Sequence, residues 1–86
     1  MKIEIRPASP EERSSAASWP LWTGEAGSFE WGYAETETSL ILEGEAMVEA
    51  LGKEYYFKAG DWVVLPKGLA CRWHIRQAVR KHHTFG

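Results

Sequence analysis

FEWGYAETETSLILEG, residues 29–44, is the stretch whose reading decides the fold. Its first half alternates, so in an extended chain Phe29, Trp31, Tyr33, Glu35 and Glu37 share one face, and Glu30, Gly32, Ala34 and Thr36 share the other. Large aromatic rings and carboxylates therefore sit on the same side. If that side is the core, at least one carboxylate lies in apolar surroundings, where it must be paired, hydrogen-bonded, metal-bound or protonated. That makes this strand a candidate site as well as a structural element.

Working outward, Ser28 to Glu35 and Thr38 to Leu42 read as two strands or one bent strand, followed by a turn at Glu43-Gly44-Glu45 and a continuation over Ala46 to Ala50. Leu51-Gly52-Lys53 closes a hairpin onto Glu54 to Lys58, and Ala59-Gly60-Asp61 leads into the apolar run Trp62 to Leu65. Pro66-Lys67-Gly68 turns the chain again. Ala70 to Arg76 then alternates, with Cys71, Trp73 and Ile75 inward and Arg72, His74 and Arg76 outward, and Val79 to Phe85 is a final strand. Towards the N-terminus, Met1 to Arg6 is a short half-buried strand that Pro7 ends or leaves at an edge. Ser9-Pro10-Glu11-Glu12 has the layout of a capping box with Pro at the first helical position, so one short helical turn follows. Trp19 to Gly27 reads as a loop anchored by Trp19 and Trp22. Short strands separated by turns at such regular spacing predict an antiparallel sandwich or barrel over residues 1–86, a single domain.

With 86 residues, the chain buries only roughly 60 to 65% of the surface it exposes when unfolded, and five Trp help to offset that thin margin. The net charge of −2 gives no basis for a nucleic-acid or membrane partner driven by overall charge. All twelve acidic residues lie at or before Asp61, while Lys67, Arg72, Arg76, Arg80, Lys81 and all three His follow it. In an antiparallel sheet this asymmetry predicts cross-strand ion pairs or, alternatively, an anionic-ligand site. A single cysteine, Cys71, excludes an internal disulfide and a multi-cysteine zinc cluster. No apolar run has the character of a signal peptide or a membrane span, and a cytoplasmic location is expected.

The spacing of these residues resembles the cupin family. Glu37 followed by six residues and Gly44 fits the end of the first cupin motif, and Gly60, Pro66 and Gly68 fit the second. The resemblance sharpens towards small cupins similar to the (S)-ureidoglycine aminohydrolase cupin domains. Its carriers are Trp19-Pro20-x-Trp22, Phe29-x-Trp31-x-Tyr33, Ile41 to Gly44, Ala59-Gly60-Asp61, Cys71-x-Trp73 and Arg80-Lys81-His82. It implies an all-β double-stranded β-helix, the jelly-roll barrel. It also implies a homodimer, since cupins commonly pair through sheet edges and an exposed edge needs covering. At the positions that hold metal ligands in cupins, this chain has Trp31, Tyr33, Glu37 and Cys71. Tryptophan has no lone pair to donate, so a four-ligand site is excluded; a Tyr33, Glu37 and Cys71 set is the remaining route to a divalent metal, and no resident cofactor is expected.

Glu37 is a candidate general acid or base, or a structural acceptor for Tyr33, an indole N–H or an arginine. Cys71 is a candidate nucleophile or a buried inert thiol, with His74 pointing away from it by parity. Trp31, Tyr33 and Trp73 form an aromatic cup for a small ligand, or simply fill the barrel. Lys81 shares parity with Val79, His83 and Phe85, and from there it pairs with Glu37 or meets an anionic ligand. His82 is placed on the surface. The leading expectation is a small-molecule-binding cupin without the usual metal. The alternatives are an aminohydrolase- or isomerase-like enzyme acting on a small nitrogenous or carbonyl substrate through Glu37 with Tyr33, Cys71 or Lys81, and an interaction protein with a filled interior.

Overall fold

The computed structural model describes residues 1–86. Alternating side chains and turn residues yield seven strands and one helix: β1 (Glu4–Pro7), α1 (Pro10–Ala16), β2 (Leu21–Gly24), β3 (Gly27–Gly32), β4 (Glu37–Ala50), β5 (Lys53–Lys58), β6 (Asp61–Leu65) and β7 (Ala70–Phe85). All pairings are antiparallel. The sheet order is β1-β6-β4-β7-β2, with β3 added to β7 and β5 added to β4. This is the all-β jelly-roll architecture expected from the sequence.

Two long strands make the barrel. The first part of β4 (residues 37–40) pairs with β6 and with the end of β7, whereas its last part (residues 45–50) pairs with β5 and with the start of β7. β7 likewise pairs with β3 through residues 70–75 and with β2 through residues 79–82. Each long strand thus belongs to both halves of the barrel, and the halves meet where the ladder is bulged, between Ile41 and Ala46. Gly44 sits at that bend with φ +89°, and a Cβ there would lie 2.1 Å from the Ala78 carbonyl oxygen. Only glycine accommodates both the left-handed backbone and the close approach.

The inward faces form one apolar core of 13 buried residues, including Ile41, Val48, Phe57, Val63, Leu65, Trp73, Ile75 and Val79. A smaller cluster lies on the outside of the sheet, where Ala16 of α1 covers Leu40 and Trp62, with Trp19 packed alongside. This second cluster explains why Trp62 to Leu65 is apolar without alternation: both faces of β6 are covered. The helix starts as its capping box requires, with the Glu12 amide donating to Ser9 Oγ and the Ser9 amide donating to the Glu12 carboxylate.

Four expectations need correction. The segment Trp19 to Gly27 is not only loop, because Leu21–Gly24 pairs with β7; four residues between Pro20 and Glu25 are too few to display a period. Glu43-Gly44-Glu45 is a bend inside a continuous strand, not a turn between two. Ala70 to Arg76 and Val79 to Phe85 are one strand that keeps its inward parity through an irregular middle. Glu35 does not share the buried face, because the chain leaves β3 after Gly32 and Glu35 is exposed. The charge asymmetry resolves into cross-strand pairs on the outer surface: Arg72 with Glu30, His74 with Glu49, and Arg76 with Glu45.

Candidate functional site

A cavity of about 270 Å³ opens at one end of the barrel. Its position follows from strand register. Trp22 on β2 stands opposite Lys81, and Phe29 on β3 stands opposite Trp73. With Trp31, Tyr33, Glu37, His83 and Phe85, these side chains line the cavity. Phe29 stacks on Trp73 at 5.8 Å between ring centroids, and Trp22 tilts against both. Gly24 makes room for that tilt, since a Cβ there would meet the Trp22 ring at 2.2 Å.

Polar groups cluster among these aromatic rings. Tyr33 lies in the loop that joins β3 to β4 and is held by the turn between β6 and β7: its amide donates to the Leu69 carbonyl, and its own carbonyl accepts from the Gly68 amide. Its hydroxyl donates to Glu37 Oε1 at 2.9 Å and accepts from Trp73 Nε1 at 3.2 Å. Lys81 Nζ donates to Glu37 Oε2 at 2.9 Å, and the two side chains are only 4% and 5% exposed. The same ammonium lies 4.8 Å from the centroid of the Trp22 ring and 4.6 Å from that of Trp73, so two π faces contribute to holding its charge. A buried ion pair needs such support to persist. Burial, reinforced by the Glu37 charge, pushes the Tyr33 phenol far above its ordinary range, which keeps it a proton donor. Burial pulls the Lys81 ammonium below its ordinary value, opposed by the charge and hydrogen bond of Glu37. His83 adds one more polar group: its Nδ1 is buried without a hydrogen-bond partner, while its ring packs edge-on against Phe85.

The structure brings together Trp31, Tyr33, Glu37, Trp73 and Lys81 around this cavity and leaves Cys71 off it. The Cys71 thiol donates to the Trp31 carbonyl at 3.5 Å, and burial, with the nearby Glu37 charge, raises its pKa and favours the unreactive thiol. Cys71 borders a wider depression of about 980 Å³, where β3, the β4–β5 hairpin and β7 end. Five of its eleven lining residues are charged, Glu30, Glu49, Lys53, Glu54 and Arg72, and all five are exposed. Parity placed His83 with Lys81 at the interior or its rim, where it is found, but sequence reasoning missed Trp22, Phe29 and Phe85 as lining residues. Two were legible in principle, since Phe29 shares the face of Trp31 and Phe85 shares the parity of Lys81. Trp22 was hidden by the reading of its segment as loop. His82, placed on the surface, is instead half-buried and bonds through Nδ1 to the Trp19 carbonyl.

The donor set does not fit the metal that cupins usually hold. Glu37 spends one oxygen on the Tyr33 hydroxyl and the other on the Lys81 ammonium, so a cation already stands at the carboxylate. Cys71, the third member of the set considered from sequence, is turned to a backbone carbonyl. Nowhere do three His, Cys, Asp or Glu side chains converge.

This geometry is found on a familiar frame. A family DUF861 protein from Thermotoga maritima is 40% identical over 99% of this chain and 100% of its own, with a TM-score of 0.93. An ethanolamine utilization protein Q described as putative, from Salmonella typhimurium, shares 24% identity over 96% of this chain and 68% of its own, with a TM-score of 0.71. A family DUF1255 protein of unknown function from Acidithiobacillus ferrooxidans shares 22% identity over 72% of this chain and 60% of its own, at 0.68. The last two likenesses speak for the fold alone. No curated protein matches the sequence. The EutQ-like cupin domain matches residues 11–83, most of the chain and the whole of the cavity lining but Phe85, and the chain belongs to that family.

Proposed function

We propose that this protein binds a small organic molecule in the aromatic cavity, without the usual cupin metal. The observation that carries the reading is unused hydrogen-bonding capacity inside an apolar cavity. Lys81 has three donors and spends one on Glu37, and the buried Nδ1 of His83 has no partner. Apolar walls with a few convergent polar groups are the usual build of a ligand site. At about 270 Å³ the space suits a compact molecule with one flat or apolar part and one hydrogen-bonding head group.

The resemblance to ureidoglycine aminohydrolase cupins is read here as a shared frame and not a shared reaction, because Lys81 stands where Glu37 would need a metal. Two copies pairing through an uncovered sheet edge, and a cytoplasmic location, complete the proposal; no helix is long and apolar enough to cross a membrane. Light scattering at micromolar concentration tests the dimer.

Three of the five Trp line the cavity, so intrinsic fluorescence reads its occupancy directly. Titration with a panel of small aromatic alcohols, amides and acids is expected to give saturable quenching for some members. Trp31, 53% exposed at the mouth, can be removed with little effect on the core, and Trp31→Ala is expected to weaken binding about tenfold, equivalent to about 1.4 kcal/mol. Absence of saturable quenching across the panel, with backbone amide shifts at Tyr33, Lys81 and His83 unmoved, would overturn the reading.

A further inference from the structure

Lys81 is the only one of the chain's five lysines that is buried, and its amine is presented to the cavity. An amine in apolar surroundings gives up its proton more readily than one in water, which is how enzymes make lysine nucleophilic. Such an amine also needs a partner that takes the proton and returns it. Glu37 Oε2 is that partner at 2.9 Å, and its other oxygen is fixed by the Tyr33 hydroxyl, so the carboxylate is held in place towards Nζ. We propose that Lys81 is a nucleophile that condenses with a small aldehyde or ketone to form an imine, the apolar part of the carbonyl compound lying against the Trp22 and Trp73 rings. The proposal rests on the reading of the cavity as a ligand site and names the class of compound it takes.

The steps balance without any further reactant. The Lys81 ammonium passes a proton to Glu37, and the nitrogen lone pair attacks the carbonyl carbon while the C–O π electrons move to oxygen. The added nitrogen loses a proton and the oxygen gains one, giving a carbinolamine. Protonation of its hydroxyl by the Glu37 carboxyl releases water as the nitrogen lone pair closes the C=N bond. Ammonium plus carbonyl thus becomes iminium plus water, with Glu37 again a carboxylate. Nζ bears a positive charge before and after, so the pairing with Glu37 and the contacts with both indole faces suit the product as well as the resting state. The aromatic walls limit the water available to reverse the condensation.

The test uses the full chain in its folded state, benzaldehyde as the probe and cyanoborohydride to reduce any imine to a stable benzylamine, with sites read by peptide mapping. One benzyl group per chain is expected, on Lys81, at a rate at least tenfold above the mean of Lys2, Lys53, Lys58 and Lys67 in the same sample. Lys81→Arg keeps the cation beside Glu37 and is expected to lose this labelling while retaining its circular dichroism spectrum. Glu37→Gln separates a proton carrier from a mere counter-ion. Loss of the carrier slows labelling of Lys81, by about a hundredfold on the usual scale of acid–base assistance. Loss of a counter-ion alone leaves more neutral amine and speeds labelling, an outcome that would overturn the role given to Glu37. Labelling spread evenly over the lysines overturns the proposal. Saturable fluorescence quenching by benzyl alcohol with no adduct on Lys81 overturns the imine while sustaining the ligand site, and absence of both overturns the two together.

Discussion

The two halves of the β4–β7 ladder are built from the same pair of strands with the same inward parity, yet they bury opposite kinds of side chain. Beyond the bend, Ala46, Val48 and Ala50 meet Cys71, Trp73 and Ile75 in a closed apolar core. Before it, Glu37, Ser39 and Ile41 meet Phe85, His83 and Lys81, and the interior contains an ion pair and a cavity. Backbone geometry therefore does not require charge inside this barrel, since the half beyond the bend closes without any. A buried pair costs desolvation at both ions and stabilises a fold less than apolar residues of similar volume would. Its presence on one side of the bend only is the best argument that the mouth is adapted to a ligand.

The comparison can be broken most forcefully at Lys81. Lys81→Met leaves the Glu37 carboxylate buried without its cation and is expected to destabilise the protein by about 3–5 kcal/mol in urea unfolding. The double variant Glu37→Leu with Lys81→Met is expected to regain most of that loss, because it turns the first half into a copy of the second. A double variant as unstable as the single one would show that the pair holds the fold together in a way the closed half does not need. Next in size is the joint itself. Gly44→Ala forces a side chain into left-handed backbone and against the Ala78 carbonyl, with an expected cost of about 3 kcal/mol and a broadened transition if the halves uncouple. Within the closed half, Val48→Ala removes two methyl groups from a fully buried site, and about 2 kcal/mol is expected with ligand binding unchanged.

Sequence periodicity was enough for the closed half, because Cys71, Trp73 and Ile75 alternate cleanly with charged neighbours, and the turn residues around Gly52, Gly60 and Gly68 mark where strands end. It was also enough to place Glu37 among aromatic residues. Parity limited Lys81 to the interior but left two uses for it. Only the fold brings β4 beside the end of β7, 44 residues later, so the choice of Glu37 as partner belongs to tertiary structure. Three kinds of information were out of reach. A four-residue strand such as β2 shows no period, a bulge such as that at Gly44 looks like a turn, and the saturation of Glu37 by two donors at once depends on distances that spacing does not encode.

The smallest expected effect lies in the pH dependence of the mouth. Tyr33 is faced by Glu37 from β4 and by Lys81, Trp73 and Cys71 from β7, and its phenol is raised by burial and by the Glu37 charge. A raised folded-state pKa means that the folded protein retains a proton the unfolded chain releases. The associated stability is complete below the unfolded value near 10 and is lost as pH rises above it. Lys81, lowered by burial, acts in the opposite sense, with stability rising as pH climbs towards its unfolded value of 10.5. The two slopes act in successive windows, so they predict a modest rise towards pH 10 from Lys81 and a fall beyond it from Tyr33, measured as urea midpoint against pH. Tyr33→Phe is expected to flatten the fall, while Val48→Ala, in the half with no ionisable pair, is expected to lower the whole curve without changing its shape. Phenolate absorbance should report the same event, with Tyr33 ionising only as the barrel opens.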